Sequence, residues 1–212
     1  VVLDAVERLG VQPALYAGHS VGEYTALVAS GAVSFEDGVR LVVERGEAMQ
    51  LAAEERQGTM AAVIGLDDDK VEVACDRAGD DVWVANYNGP GDVVIAGSTE
   101  AIARADREAK ALGAKRLLPL AVGGAFHTPF MGPAQDRVRK AVATTELRDP
   151  DLPVVANVDA EPHVDGADWT ELLGRQLCSP VRWRQSLYVL AELGATMFVE
   201  LGPGSSLTGM TK

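Results

Sequence analysis

The spacing of apolar residues divides the chain into segments of different period. At the start, VVLDAVERLG spaces its apolar positions as a helix does, which predicts a helix over Val1–Leu9. Pro13–Ala17 is a short apolar run that reads as a strand, and it leads at once into Gly18-His19-Ser20-Val21-Gly22. Glu23–Ser30 is apolar and alanine-rich, a helix with Gly31 at its C-terminal end. Ser34 is a good N-cap, and Asp37 three residues on makes a variant of the capping box. The helix it opens runs from about Phe35 to Ala53, with Val39, Leu41, Val42 and Met49 among its apolar positions.

The pattern changes between residues 57 and 122. Thr59–Gly65 reads as a strand, Asp68–Ala78 as a helix, and Val82–Tyr87 and Asp92–Ala96 as strands joined by Asn88-Gly89-Pro90-Gly91. Thr99–Leu112 is a further helix and Lys115–Val122 a further strand. The order βαββαβ is that of a ferredoxin-like fold, so 57–122 is expected to be a small subdomain inserted into a larger one made of 1–56 and 123–212. In the second part of the larger one, Pro133–Ala143, Trp169–Gln176 and Val181–Leu193 read as helices. Val154–Val158 and Met197–Leu201 read as strands, the latter ahead of the turn Gly202-Pro203-Gly204. The expected class is α/β: a large subdomain like the α/β-hydrolases, with a parallel sheet, carrying the ferredoxin-like insertion.

Composition narrows the function classes. Of 212 residues, 47% are hydrophobic and 24% charged, which supports a buried core rather than a disordered chain. The net charge of −12 argues against nucleic acid as a partner, because phosphate contacts need clustered Lys and Arg. The cysteines, Cys75 and Cys178, form no CxxC or Cys/His cluster, so neither a metal site nor a disulfide framework is expected. Reduced thiols suit a cytoplasmic protein. No apolar stretch approaches the roughly 18 residues that would cross a membrane, and the first ten residues read as a helix, not a signal peptide.

Chemistry enters with Gly-His-Ser-Val-Gly between a strand and a helix. Glycines on both sides of Ser20 permit the sharp turn that lifts a serine hydroxyl out of a sheet edge, and the next helix aims free amides at it. A serine nucleophile needs a base, and the histidines are His19, His127 and His163. His19 adjoins Ser20 on a sharp turn where neighbouring side chains diverge, so a structural place under the turn is expected. His163, within Glu161-Pro162-His163-Val164-Asp165-Gly166, reads as a solvated loop residue. His127, in Gly123-Gly124-Ala125-Phe126-His127-Thr128-Pro129, sits where a loop can present an imidazole to Ser20. Arg45 is either a surface arginine paired with a glutamate such as Glu44, or a planar fork for a carboxylate. A serine hydrolase fits GHSVG equally well; it would add an acid between Ser and His in chain order and an HGGG-type loop. Asp67, Asp68 and Asp69 lie between the two but within the inserted subdomain, and no HGGG occurs.

These residues resemble a known family, the malonyl-CoA:acyl carrier protein transacylases, which include the acyltransferase domains of polyketide and fatty acid synthases. The resemblance covers nearly the whole chain. It rests on GHSVGEYTALVASG at 18–31, VRLVVERGEAMQ at 39–50, GAFHTPFM at 124–131, NVDA at 157–160, RQLCSPVRW at 175–183 and ELGPGSSLTG at 200–209. It implies malonyl transfer from malonyl-CoA to the phosphopantetheine thiol of an acyl carrier protein by a ping-pong route, with no resident cofactor. It implies Ser20 as the acylated residue, His127 as the base, and Gln176 as the residue whose backbone carbonyl orients the histidine. Arg45 would hold the malonyl carboxylate, Val21 would give an oxyanion amide, and Phe126 would favour malonyl over branched groups. Met49, Asn86 and Asn88 are further candidates for lining the pocket, each equally explicable as packing or turn structure. The family's second oxyanion donor, from a Gly-Gln-Gly loop, is expected ahead of the residues given. A degenerate domain kept for docking is the non-enzymatic alternative, and the presence of Ser20, His127 and Arg45 argues against it. An acidic carrier would need a local basic patch, for which Lys115 and Arg116 are candidates; solvated charges at a strand start explain them as well.

Overall fold

The computed structural model describes residues 2–211, so Val1 of the predicted first helix lies outside the described residues. The chain begins with α1 (Val2–Arg8), β1 (Tyr16–Ala17), α2 (Gly22–Ala29) and α3 (Phe35–Glu55). Next come β2 (Thr59–Ile64), α4 (Asp68–Ala78), β3 (Val82–Gly89), β4 (Asp92–Gly97), α5 (Thr99–Ala111) and β5 (Arg116–Pro119). The last part holds α6 (Gly132–Ala143), β6 (Val154–Val155), β7 (Pro162–His163), α7 (Trp169–Gln176), α8 (Trp183–Glu192) and α9 (Ser206–Met210). Among the described residues, no helix is long and apolar enough to cross a membrane.

β2 to β5 form a four-stranded antiparallel sheet in the order β3-β4-β2-β5, the ferredoxin-like arrangement. Its central strands β2 and β4 are apolar along most of their length because both faces are covered. Ala61, Val63, Val93 and Ile95 face a core closed by α4 and α5. Their neighbours Met60, Ala62, Val94 and Ala96 join the core of the larger part, with Leu27, Leu41 and Trp169. The two parts are also stitched through the backbone: Val181 N–H donates to Ala85 O at 2.9 Å, and Tyr87 N–H donates to Val181 O at 2.9 Å. That use of Val181 explains why α8 begins at Trp183 and not at Val181 as its apolar pattern predicts.

The second sheet has the order β1-β6-β7, with β1 parallel to β6 and β7 antiparallel to it. Tyr16 lies opposite Val154 and Ala17 opposite Val155. This short parallel pair sets the site, because both strands end at its edge: β1 runs into Gly18-His19-Ser20 and β6 into Asn157. The predicted strand Met197–Leu201 is not formed. Its residues pair with no strand among those described, and Met197, Phe198 and Val199 are exposed. An apolar run becomes a strand only beside a ladder partner.

Candidate active site

Ser20 occupies a turn that its sequence makes tight. Its φ is 53°, in the left-handed region that non-glycine residues rarely enter. The turn brings Gly18 so close to the start of α2 that a Cβ there would lie 1.9 Å from Gly22 O. Gly18→Ala must therefore open the turn. We expect a loss of roughly 1–3 kcal/mol in thermal unfolding, together with loss of covalent labelling at Ser20. Unchanged melting and labelling would mean that the turn is not held in this form.

His127 meets the serine from the opposite side. Its Nε2 is 2.8 Å from Ser20 Oγ, and its Nδ1 is 2.8 Å from the backbone carbonyl of Gln176. A carbonyl only accepts, so Nδ1 carries the proton and Nε2 is free to accept from the serine. Gln176 is the last residue of α7, where a carbonyl has no further helical partner. The imidazole is buried at a φ of 60°. Burial pushes its pKa down to about 3, with the nearby Arg45 charge pushing the same way and the Gln176 carbonyl opposing both. The next residue fixes the loop: Thr128 Oγ1 donates to Ala125 O at 2.6 Å and caps the turn Pro129–Met131.

Arg45 lies on the inward face of α3 with Leu41, Ala48 and Ala52, and it is 7% exposed. Its Nη2 donates to Ser20 Oγ at 2.9 Å and to Gln176 Oε1 at 3.3 Å. Its Nε has no hydrogen-bond partner among the described residues. The surface pair expected for it is made instead by Arg137, which takes Glu44 at 2.9 Å. Burial lowers the pKa of Arg45 from its ordinary value, opposed by Tyr24 and Glu23. A buried cation with unused donors thus stands beside an activated hydroxyl.

Two further residues hold this arrangement and were not singled out from the sequence. Asn157 Oδ1 accepts from Ser20 N–H at 2.7 Å while its Nδ2 donates to Gly18 O at 2.7 Å, clamping the turn from below. Glu23 is 1% exposed and takes the backbone N–H of Asn157 at 2.7 Å. The only sequence signal for either is a polar residue inside an apolar run, which when buried has to find partners.

The remaining candidates fall around this centre. Val21 follows the nucleophile at the start of α2, half exposed, where the first amides of a helix have no internal partner. Phe126 packs against the main core, its ring next to Gly124. Met49 is buried in that core. Asn86 bridges to Val181, and Asn88 Oδ1 accepts from His19 Nε2 at 3.1 Å. His19 itself lies edge-on to Trp183, under the turn. His163 is a correction: it is not a solvated loop residue. It lies on β7 between Asp168 and Asp159, at 2.9 and 3.3 Å, with its ring edge-on to Trp169. Asp68, one of the acids a hydrolase triad would need, instead pairs with Arg184 at 3.0 Å.

Residues 2–212 match the acyl transferase domain family. The chain belongs to this family. The malonyl CoA-acyl carrier protein transacylase of Escherichia coli (strain K12) is 47% identical over 205 residues, which are 96% of this chain and 66% of the relative. That of Bacillus subtilis (strain 168) is 42% identical over 214 residues, 100% of this chain and 68% of the relative. This acyl transferase domain thus spans about two thirds of the length of those relatives. An acyl carrier protein S-malonyltransferase from Vibrio cholerae superposes with a TM-score of 0.95 at 42% identity, covering 99% of this chain and 70% of that one. A malonyl-transacylase in complex with a type II polyketide synthase acyl carrier protein superposes with a TM-score of 0.95 at 42% identity, covering 99% and 69%.

Proposed function

We propose that this acyl transferase domain moves a malonyl group from malonyl-CoA to the phosphopantetheine thiol of an acyl carrier protein, through an ester on Ser20. The observation that carries this reading is Arg45: a buried arginine with an unpartnered Nε would be a poor structural choice, yet it suits an acyl group that ends in a carboxylate. The names of the relatives, and the carrier-bound malonyl-transacylase among the similar structures, support the substrate and the partner.

In the first half-reaction, His127 Nε2 takes the Ser20 proton as Oγ attacks the thioester carbonyl. The tetrahedral oxyanion collapses, the C–S bond breaks, and the coenzyme A sulfur leaves with the proton from His127. In the second half-reaction the carrier thiol gives its proton to His127 and attacks the seryl ester, and Ser20 leaves with that proton. The Gln176 carbonyl is sufficient to orient the imidazole, so the pair works as a dyad. Val21 N–H serves as one oxyanion donor, and Phe126 is a wall beside the acyl group. Met49 shapes the pocket from the core and Asn88 supports it through His19. No resident cofactor takes part, since phosphopantetheine arrives on the carrier. The free thiols of Cys75 and Cys178 fit the reducing cytoplasm. Lys115 and Arg116 are both exposed at the outer strand of the four-stranded sheet, available to an acidic carrier.

Intact mass spectrometry after mixing with malonyl-CoA tests the reading. We expect one malonyl adduct per chain, discharged by a carrier bearing phosphopantetheine, and none in Ser20→Ala. A normal adduct in that variant, or release of free malonate faster than transfer, would overturn it.

A further inference from the structure

Glu23 is buried at the centre of the site, yet the transfer scheme gives it no step. Its Oε1 accepts from Asn157 N–H at 2.7 Å and its Oε2 from Gln176 Nε2 at 2.5 Å. The same Nε2 donates to Ser20 O at 3.0 Å. Two acceptors on one side fix the sense of the Gln176 amide, and its Oε1 must then face Arg45 Nη2, at 3.3 Å. Turned over, the amide would set oxygen against two oxygens and NH2 against a guanidinium.

The chain of contacts has a chemical consequence. A carboxylate touching Arg45 directly would satisfy its fork and neutralise it. A neutral amide oxygen holds the guanidinium by a single N–H and leaves its Nε without a partner among the described residues. Gln176 serves two ends at once: its main-chain carbonyl orients His127, and its side chain steadies Arg45. Only the second depends on Glu23.

We infer that Glu23 is a positioning residue for carboxylate recognition. Through the Gln176 amide it aims Arg45 across Ser20 while keeping the rest of the guanidinium free for a ligand. The inference rests on Arg45 as the carboxylate site of the proposed function. Glu23→Gln should break it specifically. The backbone N–H of Asn157 cannot turn, so the new amide oxygen stays there and its NH2 meets Gln176 Nε2, donor against donor. Gln176 must rotate, Ser20 O loses its donor, and an NH2 is turned toward Arg45.

The test separates the two ends of Gln176. Labelling of Ser20 by a small neutral phosphonofluoridate reads the serine–histidine pair without a carboxylate. Protection against that labelling by malonate reads Arg45. We expect Glu23→Gln to slow labelling by less than about fivefold and to raise the half-protecting malonate concentration by about tenfold or more. Gln176→Glu places a carboxylate against Arg45 and should abolish protection, because the charge is then met internally. No malonate protection in the unmutated protein would remove the carboxylate reading of Arg45 and this inference with it. Full protection in Glu23→Gln or in Gln176→Glu would overturn the inference alone. Parallel losses of labelling and protection in Glu23→Gln would make Glu23 a general support of the fold and overturn it too.

Discussion

Arg45→Ala should cut malonyl transfer by about a hundredfold to several thousandfold and leave acetyl transfer equal or faster. Removing one partner of a buried ion pair costs on the order of 3–5 kcal/mol, and each 1.4 kcal/mol is a factor of ten. Malonyl loses that partner in the variant. Acetyl never had it, and in the unmutated protein it leaves a buried guanidinium without an anion, which is itself unfavourable. The side chain also donates to Ser20 Oγ at 2.9 Å, so its removal frees a lone pair of the nucleophile. Arg45→Lys should lie between, since an ammonium keeps the charge but cannot offer two parallel N–H groups. The measurement is kcat/KM for malonyl-CoA and acetyl-CoA on each variant. Equal losses for the two substrates would mean that Arg45 supports the fold and reads no carboxylate.

Arg45 also shows how far the sequence could be read. Its burial is written in the helix period, since Leu41, Arg45, Ala48 and Ala52 fall on one face of α3. What the sequence does not contain is the partner: whether Glu44 turns to Arg45 or to Arg137 is settled only when α6 packs on α3. The same division runs through the rest. The strands of the inserted sheet are legible because each is an apolar run bounded by turn residues. The Met197–Leu201 run has the same composition and forms no strand, since the ladder partner is a property of the fold. The choice of His127 by elimination agrees with the geometry for a physical reason: His19 is spent on Asn88 and Trp183, and His163 on Asp159 and Asp168. The acidic neighbours of His163 in sequence point to solvent exposure, but the fold turns Asp159 and Asp168 into its hydrogen-bond partners. Glu23 and Asn157 act across 134 residues, and no local pattern marks a contact at that separation.

His127→Ala should slow acylation of Ser20 by about 10²–10⁴-fold, the usual contribution of a positioned general base. The pH dependence of the unmutated protein gives the sharper test. A histidine with the ordinary pKa of about 6.5 would be roughly thirtyfold short of neutral base at pH 5. Burial, helped by Arg45, holds His127 near 3, so labelling of Ser20 by the neutral phosphonofluoridate should stay level from pH 8 down to about pH 5. A thirtyfold fall over that range would mean that the imidazole titrates normally. The same depression has a stability consequence with a fixed sign. Below pH 6.5 the unfolded chain binds a proton on this residue and the folded chain does not. Folding therefore weakens as the pH falls from 6.5 toward 3 and is unaffected by His127 above that window. At pH 4.5, two units below the unfolded value, the penalty is about 2–3 kcal/mol. Alanine has no proton to bind in either state, so His127→Ala should lose less stability than the unmutated protein between pH 7 and pH 4.5. Parallel denaturant melts at the two pH values measure the difference. If the two proteins weaken equally, the buried neutral imidazole is not the group responsible, and the base would have to be held in a wetter site than the one formed by Gln176, Arg45 and Ser20.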